Sequence, residues 1–436
     1  MEAQVREVRS VGDRVYETRV GPGLEVVVIP RPGYRKKYAT YATRYGSIDQ
    51  VFADPETGEP VRVPAGVAHF LEHKMFDKPD GSVLERFARL GASVNAYTGQ
   101  YYTVYLFSVV EPFEECLELL LDYVQDPQFS PESVRKEQGI IGQEIATAYD
   151  HPGHRLYYDF LGAMYREHPV RDWILGSPES IATITPELLY RIHRTFYHPA
   201  NMTVCVVGDV QPERVVEMVA RDMEGRRLPP QPRPRRLLPE EGPDLARPRV
   251  ERRMSVSRPY VQWGVKLGAL PEDERGLRAS VLADLVAECL FGRLTGWYED
   301  LYRRHIITDR YWYGLEVVPG ASHWEVGGET ADPEAFGDAC DRRLGQALSD
   351  GLDPALFEAA RRKALGQVLA VLDSPEELAH AFLTDRFLGW EFYRRPDILA
   401  SVTVEEADAW LREHADPRRA VRAAVLPQGL PQGGKG

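Results

Sequence analysis

The chain reads as an α+β protein of two homologous α/β sandwich domains, each a mostly antiparallel sheet with helices packed on one face. Three observations predict this. The 436 residues are too many for one ordinary domain and suit two of roughly 200. Strand-like and helix-like stretches are mixed through both halves. A pattern near the middle also returns near the end. Ile184-Thr185-Pro186-Glu187 through Tyr197-His198-Pro199 to Val204-Cys205-Val206-Val207 recurs half a chain later, as Val402-Thr403-Val404-Glu405 through Ala415-Asp416-Pro417 to Ala423-Ala424-Val425.

In chain order, apolar runs at 24–28 and 103–108 predict strands of the first half, and 261–266 a strand of the second. Helical spacing of apolar residues predicts helices over 67–76, 113–125, 131–149, 186–196, 277–289 and 354–372. Between the halves, prolines recur at 229, 230, 232, 234, 239, 243 and 248 among charged residues, a stiff and extended composition. The expected organisation is therefore a first domain over 1–225, a Pro/Arg-rich linker over 226–248, a second domain over 249–427 and a disordered tail over 428–436.

The most informative stretch is His69-Phe70-Leu71-Glu72-His73. On a helix, residues four apart stack on one face, so His69 and His73 can grip a single metal ion, and Glu72 can lean over the same face. Two neutral imidazoles and one further protein ligand leave a zinc coordination position open, and a neighbouring carboxylate can take the proton of an attacking water. The order His-x-x-Glu-His inverts the commoner His-Glu-x-x-His. Val67, Phe70, Leu71 and Met75 form the apolar stripe of this helix, with Pro64 and Gly66 at its start. The histidines lie off that stripe, which aims them at a cleft. For the remaining ligand, Glu137 and Glu144 are two helical turns apart on one face, and spacing alone leaves both open.

Three segments together carry a family resemblance: His69-Phe70-Leu71-Glu72-His73, then Gly91-Ala92-Ser93-Val94-Asn95-Ala96-Tyr97-Thr98, then Glu137-Gln138-Gly139-Ile140-Ile141-Gly142-Gln143-Glu144. In order and separation the chain resembles the pitrilysin family of inverted-zincin peptidases, and within it the small bacterial two-domain branch, which is similar to the mitochondrial processing peptidase. The resemblance implies one Zn2+ per chain held by His69, His73 and Glu144, with Glu72 as general base and Glu137 orienting a ligand or the water. It also implies a substrate edge strand in which Asn95, Ala96 and Tyr97 meet an extended peptide by main-chain pairing. The expected activity is that of a zinc endopeptidase cutting short or unfolded peptides in a closed chamber. Two other classes remain open: a non-catalytic scaffold of the same fold, and a maturase or export factor dedicated to one peptide.

The second half has no such motif, and in its counterpart region Cys289 is the sole candidate ligand. Relatives carry an arginine and a tyrosine seven residues apart there; the matching positions hold Tyr302 and Asp309. A two-residue shift would restore the pair as Arg304 and Tyr311. Without it the site needs help from a homologous partner chain that supplies an Arg/Tyr pair, which implies a heterodimer more than a homodimer.

Composition narrows the remaining classes. A net charge of −13 with interspersed signs gives no general pull toward nucleic acid. The basic cluster over 226–236 reads as a solvated connector. Cys116, Cys205, Cys289 and Cys340 form no C-x-x-C and suit a reducing compartment. No leader-like or membrane-spanning apolar run is present, so the expected location is the cytoplasm. His151 and His154 flank Pro152-Gly153 and read as a helix-terminating turn. His168-Pro169 and His198-Pro199 read as turns, and Trp297, Trp312 and Trp324 as core.

Overall fold

Leu24–Pro30 and Met202–Gly208 are mostly apolar, and with Lys37–Thr43 they are buried almost end to end, as strands in the middle of a sheet covered on both faces must be. A computed structural model describes residues 4–8, 11–78 and 81–428 of the chain, so the expected disordered tail beyond Gln428 lies outside the described residues. The chain divides into two units. One comprises Met1–Ile145, Asp172–Leu238 and Val368–Tyr393; the other comprises Ala146–Arg171, Pro239–Gln367 and Arg394–Gly436.

The first unit is built on a seven-stranded sheet in the order Gln4–Val8, Asp13–Val20, Leu24–Pro30, Met202–Gly208, Lys37–Thr43, Thr103–Val109, Ser93–Thr98. All neighbours are antiparallel except Met202–Gly208 with Leu24–Pro30. Tyr41, Tyr105 and Phe107 point to the face covered by the helix Phe113–Gln125: Tyr105 meets Tyr123, Phe107 meets Phe113, and Gln125 bonds the Tyr41 hydroxyl. Glu25 and Thr203 point to the opposite face, where they meet the helix Pro375–Phe387 through Arg386.

The second unit has a five-stranded sheet in the order Arg249–Met254, Ala420–Pro427, Tyr260–Lys266, Ala321–Glu329, Trp312–Val318. Arg249–Met254 with Ala420–Pro427 is its parallel pair. Trp263 and Trp324 anchor one face, against Phe291 of the helix Glu274–Phe291 and Trp410 of the helix Val404–His414. The other face takes the helix Pro152–Met164, whose Phe160 lies over Gly264 because a Cβ there would stand 2.6 Å from the ring.

The halves thus repeat a topology. In each, the last strand follows a helix and runs parallel to an early strand of the same sheet. They also exchange helices. Pro152–Met164, from the first half of the sequence, belongs to the second unit, and Pro375–Phe387, from the second half, belongs to the first. The Pro/Arg-rich segment is bound rather than free. Arg236 pairs Asp49 at 2.5 Å and 3.0 Å, and Arg235–Arg236 adds a short strand beside Val51–Ala53. Further on, the Glu241 carboxylate accepts from the amides of Arg166, Glu167 and His168 and pairs Lys266. Proline suits such a path because it supplies an extended backbone that needs few ladder bonds. Among the described residues no helix is long and apolar enough to cross a membrane.

Candidate active site

The motif helix spans Val67–Phe76. Gly66 opens it with φ 90°, a left-handed turn, and a Cβ there would meet the Leu175 carbonyl at 2.5 Å, so the start of the helix is fixed by a residue without a side chain. Val67, Phe70, Leu71 and Met75 are buried as the expected stripe. His69 is 8% exposed and His73 is half-buried, with ring centroids 4.5 Å apart on one face.

Glu144 comes from the helix Pro131–Asp150. Its two carboxylate oxygens lie 3.8 Å from His69 Nε2 and 3.8 Å from His73 Nε2. One ligating atom from each of His69, His73 and Glu144 falls within 4.8 Å of the others. Glu137, two turns earlier, is buried and does something different: its Oε1 is 2.9 Å from His73 Nδ1. A hydrogen bond donated from Nδ1 leaves the Nε2 lone pair facing Glu144, the tautomer a metal-binding imidazole needs.

The electrostatics point the same way. Burial, reinforced by the nearby His73, pushes His69 down to about 3, so its imidazole is neutral and open to a metal. For His73, burial opposes charge but is outweighed by the hydrogen bond to Glu137 and the charges of Glu72, Glu137 and Glu144, which hold it above its ordinary value. Glu72 is 8% exposed; burial raises it, against the pull of the Thr98 hydroxyl and His73 and with the charge of Glu144. Two imidazoles and a carboxylate converging at these separations suit a tetrahedral Zn2+ with an open position.

Ser93–Thr98 is the last strand of its sheet and, among the described residues, pairs with Thr103–Val109 alone. Asn95 is exposed, and Ala96 and Tyr97 are half-buried. Alternation turns Thr98 toward the motif helix, where its hydroxyl donates to Glu72 Oε2 at 2.8 Å. Sequence reasoning named the strand but not this bond, since nothing local pairs residue 98 with residue 72.

The second half keeps the frame and lacks the ligands. The counterpart region, 268–291, carries no His-x-x-Glu-His, and Cys289 is its one candidate ligand. Glu288 and Lys363 pair at 2.7 Å, and the Tyr313 hydroxyl donates to the same Glu288 oxygen at 2.6 Å. Cys289 is buried among apolar groups, and burial pushes its thiol up to about 12. Tyr302 and Asp309 are exposed. Tyr311 is buried with its hydroxyl donating to the Phe291 carbonyl at 2.7 Å, and Arg304 pairs with Asp300 at 2.9 Å.

The histidines set aside by sequence have structural roles. His151 caps the helix Pro152–Met164 by accepting from the His154 amide. His168 and His198 reach the carbonyls of Pro319 and Pro229. Trp324 is fully buried and Trp297 half-buried, whereas Trp312 is 36% exposed and is not core. As the first residue of an edge strand it has a neighbour on one side only.

Comparison with known proteins places the whole chain in a family. Residues 62–177 match the family described as insulinase (peptidase family M16), and residues 183–364 match the peptidase M16 inactive domain. The chain is 36% identical to the uncharacterized zinc protease YmfH of Bacillus subtilis (strain 168), over 97% of this chain and 99% of that one. It is 24% identical to the putative zinc protease AlbF of the same strain, over 65% and 66%. Among solved structures, a putative M16-like peptidase from Alicyclobacillus acidocaldarius superimposes with a TM-score of 0.90 at 33% identity, covering 98% and 99%. A protease from Helicobacter pylori has the same fold, with a TM-score of 0.82 at 17% identity, covering 95% and 100%.

Proposed function

The chain belongs to the peptidase M16 (insulinase/pitrilysin) family, and from that premise we propose that it is a zinc-dependent endopeptidase acting on short or unfolded peptides in an enclosed chamber. The observation that carries this reading is the convergence of His69, His73 and Glu144, with Glu72 on the same helix and a free sheet edge tied to it through Thr98.

In this reading His69, His73 and Glu144 hold the metal, which when bound supplies a Lewis acid for the scissile carbonyl and acidifies water. Glu137 fixes the His73 ring in the Nδ1–H form. Glu72 takes the proton of the attacking water and delivers it to the leaving amine nitrogen, so one carboxylate serves first as base and then as acid. Thr98 holds that carboxylate in one orientation. An extended peptide adds to Ser93–Thr98 as a further strand; main-chain pairing at Asn95, Ala96 and Tyr97 selects extension over sequence.

The site is completed by a homologous partner chain that supplies the missing arginine and tyrosine. Tyr302 and Asp309 at the expected positions support this, as does the inward commitment of the Tyr311 hydroxyl. The location that fits four buried free cysteines is the cytoplasm.

The test is hydrolysis of a quenched fluorescent peptide library by the zinc-loaded chain, alone and with its homologous partner, with Glu72→Gln as control. Cleavage is expected with the partner, and Glu72→Gln should lower the rate by about 10²–10⁴-fold while keeping its zinc. Equal cleavage by the control would overturn the assignment of the base. Full activity of the isolated chain would overturn the need for a partner.

A further inference from the structure

The helix Pro375–Phe387, contributed by the second half of the sequence, runs along the sheet face opposite the motif helix. At its C-terminal end Arg386 bonds Glu25 and Glu17. Beside it, the Tyr101 hydroxyl donates to the Thr384 carbonyl, and Phe387 packs on Tyr102 at 5.8 Å. Two turns before Phe387, His380 Nδ1 lies 2.7 Å from the Tyr97 hydroxyl, the rings 5.8 Å apart.

Tyr97 and Thr98 are adjacent in the edge strand and so face opposite sides of the sheet. One is held by His380 and the other holds Glu72. A strand with one ladder neighbour is the part of a sheet most prone to fray or slip. A slip of one residue would swap the two faces and take Thr98 away from Glu72.

We propose that His380 is a positioning residue of the active site: by holding the Tyr97 hydroxyl it fixes the register of Ser93–Thr98, so that an incoming peptide pairs in one alignment and Thr98 stays on Glu72. This rests on the reading of Ser93–Thr98 as the substrate edge. No local pattern could have announced it, because residues 97 and 380 meet only through the helix exchange.

The first readout is amide hydrogen exchange in the zinc-loaded full chain, comparing wild type, His380→Ala, Tyr97→Phe, the double variant and His380→Asn. The expected result is exchange over residues 93–98 about fivefold faster in either single variant, no faster in the double, and partly restored by His380→Asn, whose side chain still reaches as a hydrogen-bonding partner. Exchange in Val67–Phe76 and Pro131–Asp150, and zinc content, should stay as in wild type. The second readout is kinetic: His380→Ala should lower kcat/KM at least about fivefold, through a raised KM as the peptide loses its alignment and a lowered kcat as Thr98 leaves Glu72. Unchanged exchange over 93–98, or single effects that multiply in the double variant, would overturn the proposal. Should His380→Ala fail to fold, Tyr97→Phe removes one oxygen atom and carries the same comparison. If wild type cleaves no peptide, the proposed activity fails, and the exchange data still decide the positioning role.

Discussion

Glu137 and Glu144 lie on one face of one helix and differ in what they meet. Glu144 stands across from both Nε2 atoms, whereas Glu137 stands behind His73 on Nδ1. Their substitutions should therefore separate. Glu144→Gln is expected to lose zinc, because an amide is a poor replacement for the one anionic ligand. Glu137→Gln should keep zinc with affinity weakened about 10–100-fold, the usual cost of a lost outer hydrogen bond. Zinc content after dialysis against a graded chelator series distinguishes the two. The reverse order would exchange the roles.

Among helices and strands, two couplings lead to predictions. The first is the clamp of the exchanged helix. Arg386 bonds Glu25 and Glu17, and Glu25 is nearly buried. Burial alone would raise the Glu25 carboxyl, but the Arg386 charge and hydrogen bond bring it below its ordinary value. Arg386→Met strands that carboxylate and should cost about 3 kcal/mol at most, since the site is partly open to solvent. Urea unfolding would measure it, and adding Glu25→Gln should recover much of the loss. The second coupling is a pair of carboxyls on the second unit's neighbouring strands. Glu316 and Glu325 are half-buried on one sheet face, with Gln262 donating to Glu325. Burial pushes both up to about 7, and for Glu316 the charge of Glu325 adds to it. A carboxyl raised above its unfolded value of about 4.3 holds its proton longer in the folded chain. Stability should therefore fall as pH rises from about 4.5 through 7. Thermal melts at pH 5 and pH 8 should show a smaller loss in Glu316→Gln than in wild type. An equal loss would mean the pair is not the source.

Across the chain as a whole, the proposed zinc would link chemistry to stability. A ligand that binds only the folded chain stabilises it by about 2.7 kcal/mol at a hundred times its dissociation constant. Because His69 and His73 come from one helix and Glu144 from another far along the chain, zinc should act as a cross-link in the first unit. Chelation should lower its melting temperature by several degrees, and equimolar zinc should restore it. Glu144→Gln should melt at the chelated value whether or not zinc is present. Among the described residues the second unit has no comparable cluster of metal-binding side chains, so its melting should be insensitive to chelator.

Periodic elements, and chemistry that lies within one element, were already legible in the amino-acid order. Helices over Val67–Phe76, Phe113–Gln125, Pro131–Asp150 and Pro186–Phe196 follow from apolar spacing and from the prolines and glycines that start them, which are local properties. His69, Glu72 and His73 were legible because residues three and four apart on a helix must share a face. The internal repeat foretold two halves of one topology. Relations between elements distant in sequence had to come from the fold. These are Glu144 rather than Glu137 facing both imidazoles, Thr98 on Glu72, the exchange of Pro152–Met164 and Pro375–Phe387, and a proline-rich segment bound by Asp49 and Lys266. Spacing along a helix fixes which side chains share its face. Which other element that face meets depends on how the rest of the chain is packed, and a local pattern does not contain that information.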